Sequence, residues 1–305
     1  MIGVFDSGHG GLTVLSALTK ALPDERFLYL GDNAYAPYGM RSSEEIFQLC
    51  RRRIADLFSR GCDLVIIACN TASAVALRRL QTEWLPTVAP EKRILGVFIP
   101  AIEALTERDW YVRDVSPYKP PRPPRTVGVF ATRRTVESKA FVIETKSRAP
   151  EIQIIQQPCP RLAEAIEQGL DDVPLRQGVA RYVEQLLAKA GRTPLDLVVL
   201  GCTHYPLVED AFRAALPPGI RILNQAEVAA AALTGYLDRH PTFRRTEHEA
   251  PGVTLLTSGD PDGVSAVGSR FFGAPTPFQH LSGPVGTVEP GPEATPETPA
   301  ESEAI

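Results

Sequence analysis

"DLVIIACNTAS", Asp63 to Ser73, is matched further along the chain by "DLVVLGCTH", Asp196 to His204. Each stretch opens on Asp-Leu-Val and continues as an apolar run of strand length. Each then passes through one small residue to a cysteine followed by hydrogen-bonding side chains, Asn70 and Thr71 in one and Thr203 and His204 in the other. Short β-branched runs bounded by polar residues read as buried strands. A lone cysteine at such a place would be read as a small core hydrophobe. Two cysteines at matching strand ends are more than a core requires.

The match extends outward from these two segments. "IGVFDS" (Ile2 to Ser7) is echoed by "VGVFAT" (Val127 to Thr132), "RFLYL" (Arg26 to Leu30) by "EIQIIQQ" (Glu151 to Gln157), and "RIL" at Arg93 by "RIL" at Arg221, in the same order. Between the strands lie stretches with helical spacing of apolar residues, such as "LTVLSALTKAL" and "SEEIFQLCRRRIADLFSRG". Strand-helix alternation predicts an α/β fold with mainly parallel sheets. Duplication predicts two pseudo-symmetric lobes, each a mainly parallel sheet flanked by helices, with the active site in the cleft between them. Residues 1–98 with 225–272 are expected to form lobe A, carrying Asp6 and Cys69. Residues 99–224 are expected to form lobe B, carrying Thr132, Cys202 and His204. Residues 273–305 are rich in proline and glutamate, with few large apolar side chains after Leu281. Such a composition cannot offset the entropy of ordering, so this tail is expected to be disordered and dispensable. "SPYKPPRPPR", Ser116 to Arg125, reads as a stiff extended spacer.

Composition narrows the function classes. With 305 residues, 44% hydrophobic and 22% charged, the chain has the make-up of an ordinary globular protein. A net charge of −4 gives no reason to expect nucleic acid or an anionic membrane as partner. No apolar run approaches membrane-spanning length, and Met1 leads straight into the strand-like "MIGVF" without an export signal. Five cysteines are an odd number. A disulfide framework is therefore not expected, and a reduced, cytoplasmic setting is.

In open α/β sheets, ligands bind beyond the carboxyl ends of the strands. If the lobes face each other, Cys69 and Cys202 approach one cleft from opposite sides. Such a pair can remove a proton from one face of a carbon and deliver another to the opposite face. A helix starting after each cysteine would favour its thiolate through the N-terminal dipole. Asp6 is placed to accept the proton of Cys69, and His204 that of Cys202. Backbone N–H groups at those helix starts, with Ser7, Asn70, Thr71 and Thr203, suit a substrate carboxylate. One thiol must be charged while the other is not, so the pair should titrate as a unit. Competing readings have less behind them. "SGHGG" lacks the Gly-Lys-Ser/Thr ending of a phosphate loop. Cys202 and His204 have no companions at zinc spacing, so no metal is expected. Cys50, Cys62 and Cys159 lack polar company and read as structural.

Taken together, "FDSGHGGLTV", "GDNAYAPYG", "ACNTAS", "LGCTHYPL" and, more weakly, "SGDPDGVSAVGSRFFG" resemble the glutamate racemase family of the aspartate/glutamate racemase superfamily. The resemblance runs from Met1 to about Gly273, and "CTHYP" favours glutamate over aspartate as substrate. It implies a cofactor-independent cytoplasmic enzyme that makes D-glutamate for peptidoglycan, in a family where homodimers are common. It implies Cys69 and Cys202 as the acid/base pair, Cys202 deprotonating L-glutamate and Cys69 D-glutamate, with Asp6 and His204 assisting. Ser7, Tyr38, Gly39, Asn70, Thr71, Thr132 and Thr203 would contact the substrate. A glutamate supporting His204 aligns best with Glu167, and Glu164 is the alternative. Four departures stand out, one being the Pro-Arg segment, which is expected to lengthen the second lobe's approach to its first strand. His9 occupies a position where the family usually has a small apolar residue, near the expected cleft, so pH dependence or substrate access is expected to differ. Asn224 and Gln225 replace a more usual acidic and small pair, and the sequence assigns them no effect. The chain starts at its first strand, without the extension that similar enzymes use to bind a nucleotide-sugar activator, so such control is not expected.

Two rival functions frame this reading. One is another two-cysteine racemase or isomerase, acting on aspartate, hydantoin or maleate. The other is a non-catalytic two-lobed amino-acid-binding protein, which has no need of a thiol at both equivalent strand ends.

Overall fold

The computed structural model describes residues 1–107, 125–169, 172–245 and 250–282. The segment 116–125, apart from Arg125, and the chain beyond Ser282 lie outside the described residues.

Strand β1 (Ile2–Asp6) is buried along its whole length. It pairs in parallel with β2 (Arg26–Gly31) on one side and β3 (Leu64–Ile67) on the other, so that Val4 lies opposite both Tyr29 and Ile66. Parallel strands covered on both faces need continuous apolar runs rather than alternation, and "LVII" supplies one. β4 (Arg93–Gly96) joins β3, while β9 (Gly252–Thr257) and β10 (Gln279–His280) extend the other edge, giving the order β10-β9-β2-β1-β3-β4. The second sheet contains β5 (Thr126–Ala131), β6 (Gln153–Pro158), β7 (Leu197–Gly201) and β8 (Arg221–Leu223) in the order β6-β5-β7-β8. Every strand of this sheet sits where its sequence echo sits in the first. Val129 lies opposite Gln156 and Val199, as Val4 lies opposite Tyr29 and Ile66. The duplicated two-sheet α/β architecture expected from the sequence is therefore present.

Twelve helices cover the sheets: α1 (Gly11–Ala21), α2 (Ser43–Ser59), α3 (Asn70–Arg79), α4 (Leu85–Val88), α5 (Phe98–Thr106), α6 (Arg133–Glu137), α7 (Ala140–Arg148), α8 (Leu162–Gln168), α9 (Asp172–Ala190), α10 (Glu209–Ala215), α11 (Gln225–Arg239) and α12 (Pro261–Phe272), among the described residues. The start of α2 shows why local sequence suffices for some of them. Ser42 accepts from the Glu45 N–H, and the Glu45 carboxylate accepts from the Ser42 N–H, a reciprocal cap that satisfies two otherwise free donors. Helix α11 leaves β8 of the second sheet and lies against α1 of the first. The apolar faces of these two helices, Leu12, Leu15 and Leu18 with Ala226, Ala230 and Leu233, belong to one buried cluster that also contains Phe130 and Val198. The two sheets therefore share a core, and their strand ends are held at a fixed distance.

Residues 273–282 depart from the tail expected by composition. They return to the first sheet, where β10 pairs with β9 and the Leu281 N–H bonds to the Thr257 carbonyl at 2.8 Å. Phe278 is buried, with its ring 6.0 Å from Tyr29 in an edge-on arrangement. One well-placed aromatic and a short ladder order a segment whose average composition is polar. Phe278→Ala should accordingly destabilise the fold by about 3 kcal/mol, the usual range for emptying a buried phenylalanine site. Urea unfolding would read this as a lower midpoint at unchanged slope.

Candidate active site

Cys69 follows β3 and is the N-cap residue of α3: its sulfur accepts from the Ala72 N–H at 3.4 Å. Ser7 Oγ, in the loop after β1, lies 3.3 Å from the same sulfur. Asp6, one residue before Ser7, is fully buried. Its Oδ1 accepts from the Gly8 N–H at 2.9 Å, and its Oδ2 has no partner. Burial pushes the Asp6 carboxyl up from its ordinary value, against the pull of His204. Burial and the neighbouring Asp6 also push the Cys69 thiol up to about 12, and the Ser7 and Ala72 donors only partly offset this. The helix N-terminus after Cys69 is present as expected. Its effect is outweighed, because the charge is being removed from water and faces a carboxylate.

Cys202 follows β7 at the equivalent strand end, but no α-helix starts beside it. A tight 3₁₀ turn (Tyr205–Val208) precedes α10 instead, with the Tyr205 N–H on the Cys202 carbonyl. The expectation of a helix dipole at both thiols is thus corrected for Cys202, where Pro206 interrupts the run. An imidazole takes the dipole's place. His204 Nδ1 lies 3.7 Å from the Cys202 sulfur, and His204 Nε2 is 2.7 Å from Glu167 Oε1. The carboxylate therefore fixes the tautomer: Nε2 carries hydrogen, and Nδ1 faces the thiol. Burial alone would lower the His204 pKa, but Cys202 and Glu167 override it and raise the group to about 10. Burial would raise Glu167, yet the hydrogen bonds from His204 and His9 hold it well below the usual carboxylate range. Glu164 lies apart, 3.9 Å from Arg161. Of the two candidates, Glu167 is the one beside His204.

Close approach of the two halves depends on a glycine. A Cβ on Gly10, at the start of α1, would lie 2.2 Å from Thr203 Oγ1 and 2.4 Å from His204 Nδ1. Thr13 Oγ1, one turn along α1, lies 2.8 Å from the Gly10 carbonyl and 3.0 Å from the Thr203 carbonyl, sharing its one hydrogen between α1 and the Cys202 loop.

The remaining expected residues divide. Thr71 and Thr132, at the two helix starts, face each other with hydroxyls 2.9 Å apart, and Thr135 lies within 3.3 Å of Thr71. Gly39 sits directly against Thr132, 3.2 Å from where its Cβ would fall. Tyr38 does not offer its hydroxyl to the cleft. The ring is buried and the hydroxyl donates to Asp32 Oδ2 at 2.7 Å, within a network that includes Arg53 and Ser258. Asn70 is also committed elsewhere. Its side-chain amide and that of Gln225 bond reciprocally at 3.0 and 3.2 Å, both buried. Asn224 caps α11 by accepting from Ala226 and Glu227. The pair left without an effect by the sequence thus ties the start of α11 to the start of α3, next to Cys69. No sequence signal marks this, because one amide is as ordinary at a helix start as another. Cys50, Cys62 and Cys159 are buried, and all five cysteines are free thiols. Among the described residues no group of three or more His, Cys, Asp or Glu is arranged to hold a metal ion, and no helix is long and apolar enough to cross a membrane.

The fold is that of a two-sheet α/β protein with a cysteine at the end of each equivalent strand, Cys69 beside Asp6 and Ser7 and Cys202 beside His204. The sequence profile of the Asp/Glu/hydantoin racemases matches residues 2–233, and the chain belongs to that family. Its relatives include the glutamate racemase of Jannaschia sp. (strain CCS1), 46% identical over 273 residues that span 89% of this chain and 96% of the relative. Among solved structures, glutamate racemase isoform RacE1 from Bacillus anthracis superposes with a TM-score of 0.79 at 28% identity, covering 92% of this chain and 97% of that one. The Francisella tularensis glutamate racemase, solved with D-glutamate, gives a TM-score of 0.76 at 26% identity over 92% of this chain and 95% of that one.

Two consequences are measurable. The imidazole of His204 takes up a proton on folding, since its folded value of about 10 lies above its ordinary 6.5. Its stabilisation is full below the ordinary value and fades as pH rises through the folded one. Relative to His204→Asn, the native protein should therefore lose stability between pH 6.5 and about 10, read from urea midpoints taken across that range. Gln225→Ala strands the buried Asn70 amide and should cost about 1–3 kcal/mol in the same measurement.

Proposed function

We propose that the protein interconverts L- and D-glutamate without a cofactor, by proton transfer between the substrate α-carbon and Cys69 and Cys202, and so supplies D-glutamate for peptidoglycan. The observation that carries this reading is the unequal provisioning of two equivalent thiols. Cys202 has an imidazole that can carry the charge opposite a thiolate. Cys69 is held as a neutral thiol by burial and Asp6. A two-base racemase needs one sulfur of each kind at the start of turnover.

Proton flow follows from that inequality. With L-glutamate bound, the Cys202 thiolate takes the α-proton, and the electron pair left on carbon is delocalised into the substrate carboxylate. The Cys69 thiol then donates its own proton to the opposite face, forming D-glutamate. Cys202 ends as thiol and Cys69 as thiolate, poised for the reverse reaction. A Cys69 thiolate beside buried Asp6 is the less stable form, so once product leaves, Cys202 gives its proton up to solvent, Cys69 takes one from solvent, and the starting arrangement returns. Ser7, Thr71, Thr132 and Thr203, with the backbone of Tyr38 and Gly39, are the groups left to orient the substrate's carboxylates and amine. Asn70 holds the Cys69 helix start through Gln225. A cytoplasmic setting follows from the five free thiols and the family likeness. A homodimer rests on the likeness alone, and sedimentation of the purified protein checks it.

Purified protein should racemise L-glutamate with no added cofactor and leave aspartate, hydantoins and maleate largely unchanged. Equal turnover of another acid on that panel would transfer the assignment. In D2O, product formed early should carry deuterium at the α-carbon while recovered substrate stays protiated, because the abstracted proton remains on the first sulfur. Cys69→Ala and Cys202→Ala should each lose at least about 10²–10⁴ in rate in both directions. Product retaining the original proton, or a near-normal alanine variant, would sink the two-base mechanism.

A further inference from the structure

We infer that His9 is a positioning residue for the Cys202 side of the site: from the loop after β1 it donates to Glu167 of α8, and so sets how firmly that carboxylate holds His204. The inference rests on the reading of Cys202 as one of the two proton-transfer groups. Its physical basis is one shared atom. His9 Nδ1 lies 3.2 Å from Glu167 Oε1, and His204 Nε2 lies 2.7 Å from the same oxygen. An ionised carboxylate only accepts, so both nitrogens donate.

The rest of the His9 ring fits that assignment. With hydrogen on Nδ1, Nε2 is left as the ring's acceptor; Asn33 Nδ2 stands 3.5 Å from both ring nitrogens and does not itself choose between them. The Asn33 amide is itself oriented. Its Oδ1 accepts from the Thr257 hydroxyl at 2.8 Å, and that hydroxyl accepts from the Gly259 N–H at 3.0 Å. Contacts thus run from the end of β9 through Asn33 to the His9 ring, and from His9 Nδ1 to Glu167. Phe271 of α12 walls both imidazoles: its ring stacks on His9 with centroids 5.8 Å apart and meets His204 edge-on at 5.2 Å. His9 belongs to the loop after the first sheet's β1, whereas Glu167 and His204 follow strands of the second sheet. The contact therefore crosses the cleft.

Two donors on one oxygen compete, because each withdraws charge that the other would use. Removing the His9 donor leaves Oε1 wholly to His204 and stabilises the imidazolium. The other charged or titratable groups facing this cluster are Asp6 of β1, Tyr29 of β2, Cys202 after β7 and Arg270 of α12, whose guanidinium donates to the Glu167 carbonyl. None of them changes in the variants below, so a difference between variants reports on His9.

The test uses full-length protein with ¹⁵N-labelled histidine, titrated by NMR, with the His204 signals assigned from their loss in His204→Asn. His9→Val and His9→Ala both remove the donor, so one remains informative if the other fails to fold. Either should raise the His204 midpoint by about half a pH unit. His9→Asn, whose Nδ2 falls near the position of the histidine Nδ1, should keep the native midpoint. An unmoved midpoint in Val and Ala, or an equal displacement in Asn, would overturn the inference. The functional reading fails by a different result: no racemisation by the native protein, or full turnover by Cys202→Ala. Neither of these alters the NMR midpoints.

Discussion

The pairing of β1 with β3, and its repetition between β5 and β7, governs everything at the site. Side chains alternate across a sheet with a period of two, so a slip of one residue sends each to the opposite face. Phe5 opposite Ile67 and Ala131 opposite Gly201 fix the register of the final strand positions. Cys69 and Cys202 emerge just beyond those positions, and Asp6 and Thr132 emerge from the neighbouring central strands. Cys69, Cys202, Asp6 and Thr132 thus take equivalent or adjoining places at the carboxyl ends of the two sheets because two apolar ladders are in register. The shared core between α1 and α11 then keeps the two cleft walls in place.

Equivalent positions do not have equivalent chemistry. One thiol caps a helix, touches a serine hydroxyl and faces a buried carboxylate with an unpartnered oxygen. The other faces an imidazole backed by a carboxylate. Burying a charge without compensation is costly, and the two halves meet that cost differently. The Cys69 side keeps its proton. The Cys202 side assembles an acid/base chain in which each member has a partner. A duplicated fold has in this way acquired two unlike surroundings for equivalent thiols.

Much of this was legible in the sequence, because the features concerned are linear. Strand echoes, cysteine positions and the His204 motif are all read from neighbouring residues, and Glu167 fell one helical turn from its competitor Glu164. Other features depend on what folding brings alongside. Asn70 meets Gln225 across the fold, and neither segment mentions the other. Tyr38 turns inward because Asp32 is there to accept its hydroxyl. The helix expected after Cys202 gives way to a tighter turn around Pro206, which the echo of "ACNTAS" concealed. β10 was hidden by averaging, since one phenylalanine among prolines and threonines was enough to dock the strand.

The order in which the chain leaves the ribosome adds a last consequence. β2 takes its outer neighbour, β9, from Arg26 facing Gly252, far along the chain. The second sheet is drawn from one continuous stretch between these residues. During synthesis it has all its strands while the first sheet still presents the open edge of β2. Unpaired edges recruit other strands, and distant pairings form slowly. The nascent protein thus carries a vulnerable apolar edge until β9 has emerged, and completion of the first sheet is the step that closes it.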